Sequence, residues 1–96
     1  MVKDDYAFLA AKYTHCENCG SGEGLRNHHC LYHRDRRFPF LNVIQNMSRV
    51  CYECDKEGIV STYEYQCIHW RKRLSEGYDM VAWNEGLPLK VKERWG

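Results

Sequence analysis

The chain reads as a small α+β zinc domain, and three observations predict it. It has 96 residues, too few for more than one domain. It carries two Cys-x2-Cys knuckles, Cys16-Glu17-Asn18-Cys19 and Cys51-Tyr52-Glu53-Cys54. Between the knuckles the pattern is strand-like, and outside them it is helical. A domain of this size buries a modest core and commonly needs a staple. Four thiolates at this spacing can close a tetrahedral zinc site, worth on the order of 10 kcal/mol of folding free energy in small zinc peptides.

The elements follow in order. Residues 4–13 read as a helix, capped by Asp4 or Asp5, with Tyr6, Leu9, Ala10 and Tyr13 at helical spacing and the apolar side over the zinc module. Gly20-Ser21-Gly22-Glu23-Gly24 is a turn and not a phosphate loop, because no Gly-Lys-Ser/Thr ending follows. Leu25 to Tyr32 reads as a strand that sends His28 and His29 to opposite faces. Residues 33–45 form a long connection, since Phe38-Pro39-Phe40 argues against a central strand. Asn46 to Val50 leads into the second knuckle. After Gly58, Ser61-x-x-Glu64 reads as a capping box for a helix whose inward face is Tyr63, Cys67, Trp70 and Leu74. Gly77 is its stop signal, Asp79 to Trp83 a shorter helix, and Gly86-Leu87-Pro88 a break before a basic tail. The domain spans 1–96, with a core over about 14–60, an N-terminal helix over about 4–13 and a helical extension over about 61–85.

Charged residues make up 28 % of the chain and hydrophobic ones 44 %, which fits a globular domain and not a disordered one. No stretch is apolar enough to span a membrane and the start carries no secretory pattern, so the six cysteines do not read as disulfides, and the two Cys-x2-Cys pairs read as metal ligands in a reducing cytoplasm. Cys30 and Cys67 are left over and read as small buried hydrophobes. A net charge of +1 does not advertise nucleic-acid binding. Local patches do: Arg26, Arg34, Arg36 and Arg37 surround the histidine pair, Arg71-Lys72-Arg73 forms a second cluster, and Lys90, Lys92 and Arg94 mark the tail.

The knuckles, the His28-His29 pair, Asn46 five positions before Cys51, and the second knuckle together resemble the HNH endonuclease family, the zinc-bearing branch of the ββα-metal (His-Me finger) nucleases. The resemblance covers residues 16–55. It implies a ββα-metal core (HNH, treble-clef-like) with flanking helices, and a metal-dependent DNA endonuclease or nickase. In that frame His29 is the general base and Asn46 supports its ring. Cys16, Cys19, Cys51 and Cys54 hold a structural Zn2+, while His28 and Asp55 hold a catalytic divalent metal such as Mg2+ or Mn2+. Arg26, Arg34, Arg36 and Arg37 would grip DNA. A chain this small would depend on a protein partner or a homodimer for targeting. Free-standing members of the family are often carried by phages or mobile elements, which would place this one in a host cytoplasm.

The sequence departs from the family at Asp55, where the family usually has histidine directly after the last cysteine. Aspartate is a hard oxygen ligand that suits Mg2+ or Mn2+. The competing reading is a catalytically inactive treble-clef module, binding nucleic acid through the same arginines or a protein through the aromatic-rich segment from Tyr63 to Trp95.

Overall fold

The computed structural model describes residues 4–92. Its centre is a two-stranded antiparallel ribbon, β1 (Leu25–His29) and β2 (Met47–Cys51). The register pairs Leu25 with Cys51 at one end and His29 with Met47 at the other. One end of the ribbon therefore carries a zinc-knuckle cysteine and the other carries the histidines, about 13 Å away at strand rise. β1 is shorter than the expected Leu25–Tyr32: Cys30 N–H still bonds the Asn46 carbonyl at 2.7 Å, but Leu31 and Tyr32 turn away into the long connection.

Helices wrap the ribbon: α1 (Tyr6–Lys12), α2 (Tyr52–Lys56), α3 (Tyr63–Ser75), α4 (Met80–Glu85) and a short α5 (Leu89–Lys92). The fold is thus a small α+β arrangement. α1 buries Leu9 against Ile44 and Met47, with Tyr6, Tyr13 and Tyr78 around them, as a satellite of the main core. Its apolar side therefore covers the start of β2 and not the cysteines. Asp5 occupies the N-cap position without capping through its side chain; its carboxylate instead accepts from Ile44 N–H at 2.9 Å and ties α1 to the connection.

α2 continues directly from β2 and runs back along β1. Its end is enforced by Gly58, whose φ of 74° lies in the left-handed region that favours glycine. Thr62 caps α3, its hydroxyl accepting from Tyr65 N–H at 3.1 Å, so the cap sits one residue beyond the expected Ser61. The inward face of α3 also differs from expectation. Tyr65, His69 and Arg73 are buried, whereas Tyr63 and Leu74 are exposed. Arg73 can be buried because Glu17 pairs with it, at 2.6 and 3.0 Å, and because the Ile44 and Met47 carbonyls accept from it at 2.9 and 2.8 Å. Gly77, at φ 97°, closes α3 with Tyr78 N–H donating back to the Arg73 carbonyl at 3.1 Å. Asp79 caps α4 through Ala82 N–H at 2.9 Å. The expected tail instead starts with helical α5, which buries Val91. Arg94 and Trp95 lie outside the described residues. Among the described residues, no helix is long and apolar enough to cross a membrane.

Candidate functional site

The two knuckles converge at the Cys51 end of the ribbon. The Sγ atoms of Cys16, Cys19, Cys51 and Cys54 all lie within 4.8 Å of one another. Cys16 and Cys54 are 3.8 Å apart and Cys19 and Cys51 3.5 Å. Ligands at about 2.3 Å from a tetrahedral zinc stand about 3.8 Å apart, so the four sulfurs fit that ion. The first knuckle folds tightly enough for Asn18 and Cys19 N–H to reach Cys16 Sγ at 3.4 and 3.5 Å. Burial alone would push the Cys16 thiol up; N–H donors from Cys19, Cys51 and Asn18 overcome it and bring it to about 6. The Asn18 side chain donates to Cys54 Sγ at 3.3 Å. The cluster can hold a structural metal such as zinc. It offers no open position for a substrate, because all four tetrahedral ligands come from the protein.

Glu17, inside the first knuckle, points inward. Its carboxylate takes Arg73, Lys72 at 2.9 Å and the Arg49 N–H at 2.6 Å, and these partners hold it below the usual carboxylate range despite burial. Lys72 and Arg73 are therefore spent on the interior. Of the expected basic cluster on α3, Arg71 remains exposed.

At the other end of the ribbon, His28 and His29 do face opposite ways. His28 shares a face with Arg26 and meets the end of α2. Its Nε2 is 2.9 Å from the Val60 carbonyl, and its Nδ1 is 3.8 Å from Asp55 Oδ1. A carbonyl oxygen only accepts, so Nε2 carries the proton and Nδ1 turns a lone pair toward the carboxylate. Burial holds His28 below the ordinary histidine value, against the opposing pull of Val60 and Asp55. Arg26 meets the other Asp55 oxygen at 3.3 Å while its guanidinium lies 4.8 Å over the Tyr52 ring.

His29 turns to the α1 side, edge-on to Tyr6 at 6.4 Å. Its Nε2 is 2.8 Å from Asn42 Oδ1. The same tautomer logic places the proton on Nε2 and the lone pair on Nδ1. Burial lowers its pKa, Asn42 opposes that, and Arg34, His28 and His33 lower it further.

Asn46 does not meet His29. It is fully buried, accepts from Leu31 and Tyr32 N–H at 3.1 and 2.8 Å, and donates to the Tyr32 and Leu41 carbonyls at 3.0 and 2.9 Å. It pins the chain that leaves β1. Asn42 is the ring's partner, and no residue pattern marked it, since it lies in an irregular stretch where any asparagine reads as a turn.

The arginines divide. Arg37 is tied to Asp35 by two bonds at 2.9 and 3.2 Å, Arg26 is engaged as above, and Arg34 and Arg36 are exposed. His15 bonds its neighbour Thr14, and His33 is exposed. Buried His69 bridges the Ser48 hydroxyl and the Gln45 carbonyl, both at 2.7 Å. Cys30 is buried and its thiol is pushed up to about 12 by that burial, as a hydrophobe's would be. Comparison with family models, curated proteins and solved structures returned no match.

Proposed function

We propose that the protein is a metal-dependent DNA endonuclease or nickase of HNH type, hydrolysing phosphodiester bonds with His29 as general base. The observation that carries the reading is the pairing of two groups at the residue directly before the base. His28 Nδ1 and Asp55 Oδ1 face each other at 3.8 Å, a lone pair against a carboxylate, with His29 next in the chain. That separation is wider than the cis spacing of about 3.0 Å for ligands held at about 2.1 Å by Mg2+, so the two groups would draw together by about 0.8 Å on the ion. His28 and Asp55 would hold the divalent ion. When bound, it supplies charge stabilisation to the phosphoryl oxygens and the leaving oxygen.

The protein's own groups do the rest. Asn42 keeps the Nε2 proton of His29 in place, so Nδ1 can take a proton from water. The water oxygen then attacks phosphorus, the bond to the leaving oxygen breaks, and that oxygen takes a proton from solvent. Asn46 holds the chain just after the histidines in position. Arg34, whose charge reaches His29, and Arg36, both exposed, suit contact with the flanking phosphates, and Arg26 would join them on releasing Asp55. The four-cysteine cluster holds the ribbon's other end.

A second reading has an observation of its own. Arg26 already neutralises Asp55, which suits a treble-clef zinc module that has kept the scaffold, lost cleavage, and binds nucleic acid or a protein partner.

Nicking of supercoiled plasmid by zinc-loaded protein, with Mg2+ or Mn2+ added, tests both. The nuclease reading expects metal-dependent nicking that drops at least about a hundredfold in His29→Ala, the scale of a lost general base, and a comparable loss in Asp55→Ala. Well-folded protein that cuts under no metal but binds DNA with steep salt dependence would favour the module.

A further inference from the structure

A cavity of about 650 Å³ opens between the chain leaving β1, one face of α3 and the end of α4. Tyr32, Tyr63, Gln66, Cys67, Trp70, Arg71 and Asn84 line it. Its size lies within the range of roughly 300–1,000 Å³ typical of small-ligand sites. On α3 the lining residues recur at 63, 66, 67, 70 and 71, and Tyr63, Cys67 and Trp70 among them belong to the stripe that the sequence pointed to the core. Tyr65, His69 and Arg73 take the inward place, so Tyr63 is left exposed and Cys67 and Trp70 half-buried at the cavity wall.

The chemistry of the lining is specific. Trp70 and Tyr63 supply aromatic faces. Gln66 and Asn84 supply amide groups, and the Tyr32 hydroxyl donates to Asn84 Oδ1 at 2.5 Å. Among the described lining residues Arg71 carries the sole charge, and no carboxylate is present. A flat, hydrogen-bonding, anionic ligand fits this set. The cavity also adjoins the histidine strand. Gln66 donates to the Cys30 carbonyl at 3.1 Å, next to His29, and Val60, which anchors His28, precedes Tyr63 by one turn of chain.

We infer that this cavity takes one unpaired nucleotide of a DNA strand, its base against Trp70 and its phosphate toward Arg71. The inference rests on the proposed reading for the identity of the strand, not for the chemistry of the cavity. Base–aromatic stacking tolerates any base, so the cavity would favour unpaired over duplex DNA without choosing a sequence.

Cys67 lies in the lining and gives a direct probe. Its competitors are weak: the four clustered cysteines would be ligands of the loaded zinc, and Cys30 is buried with a raised pKa. Zinc-loaded protein is alkylated with iodoacetamide and Cys67 modification is followed by peptide mass mapping. No other divalent metal is added, so cleavage does not enter. The competitors are a single-stranded oligothymidylate, the matching duplex, thymidine monophosphate, thymidine and inorganic phosphate.

The single strand is expected to slow modification saturably, at lower concentration than the mononucleotide, and the duplex and inorganic phosphate to have no effect. Trp70→Ala should raise the protecting concentration roughly tenfold, the scale of one stacked base. Arg71→Gln, at an exposed position that leaves the packing untouched, should raise it several-fold. No protection by either nucleic acid or mononucleotide overturns the inference, as does protection by the mononucleotide alone, or full protection in Arg71→Gln and Trp70→Ala together. Protection without plasmid nicking would leave the cavity standing and remove the nuclease.

Discussion

The two ends of one short ribbon are built on different principles. At the Cys51 end, four like ligands from two local motifs meet in a closed cluster, and the backbone of the first motif supplies N–H donors to its own Cys16 sulfur. At the His29 end, two histidines on opposite faces are each fixed by a partner far along the chain, Val60 and Asn42. The first arrangement is saturated and suits holding an ion for stability. The second leaves a lone pair on each ring, which suits chemistry. The difference teaches where to look: a closed site shows in its ligands, an open one in the groups that decide the tautomer.

The largest effect should come from breaking the closed end. Cys51→Ser removes a thiol from a cluster in which a bound zinc would be worth on the order of 10 kcal/mol, more than a small domain has to spare. The variant should lose bound zinc and most far-UV circular dichroism, as the parent should when stripped by a strong chelator. A soluble, folded Cys51→Ser protein with full zinc content would show that the cluster is not what holds this end.

α3 fastens both ends, and here the sequence reading and the structure part. The knuckles and the ribbon were legible because cysteine spacing and strand alternation are local. The histidines' opposite faces followed from the same alternation. The inward face of α3 was not legible. Counting apolar residues at helical spacing selects Tyr63, Cys67, Trp70 and Leu74, whereas the structure buries an arginine and a histidine. That choice depends on Glu17, far back in the first knuckle, and on the carbonyls of Ile44 in the connection and Met47 at the start of β2. Likewise Asn42 could not be told from a turn residue, because its role depends on where α1 sets the His29 ring.

Arg73→Met tests the tie to the cysteine end. It strands the Glu17 carboxylate, whose side chain is 2 % exposed, with Lys72 and one N–H as its remaining donors. Removing one partner of a buried pair costs about 3–5 kcal/mol, so urea unfolding at neutral pH should show a loss of that size. Adding Glu17→Leu should recover much of it, because the stranded charge, and not the missing contact, is the main cost. A loss below about 1 kcal/mol would mean that the pair is solvated and the knuckle is held by its metal alone.

The tie to the histidine end is subtler and shows in acid. His69 bonds Ser48, which sits directly across the ribbon from His28. Burial, helped by the nearby Arg73 charge and opposed by the Gln45 carbonyl, Glu17 and Glu76, brings its pKa from 6.5 down to about 4. Between those values the unfolded chain binds the proton and the folded one does not. The stabilisation is therefore complete above about pH 6.5 and drains as pH falls toward 4, by up to about 3 kcal/mol. His69→Gln can still donate to the Gln45 carbonyl and accept from Ser48, but it has nothing to titrate. Cysteine protonation weakens both proteins alike over the same range, so the informative quantity is the difference between them. Parent minus variant stability, measured by urea unfolding from pH 7 to 4.5, should fall steadily as acid is added. Parallel curves would mean that His69 takes up its proton in the fold as readily as in the unfolded chain, and that the histidine end is held by the ribbon alone.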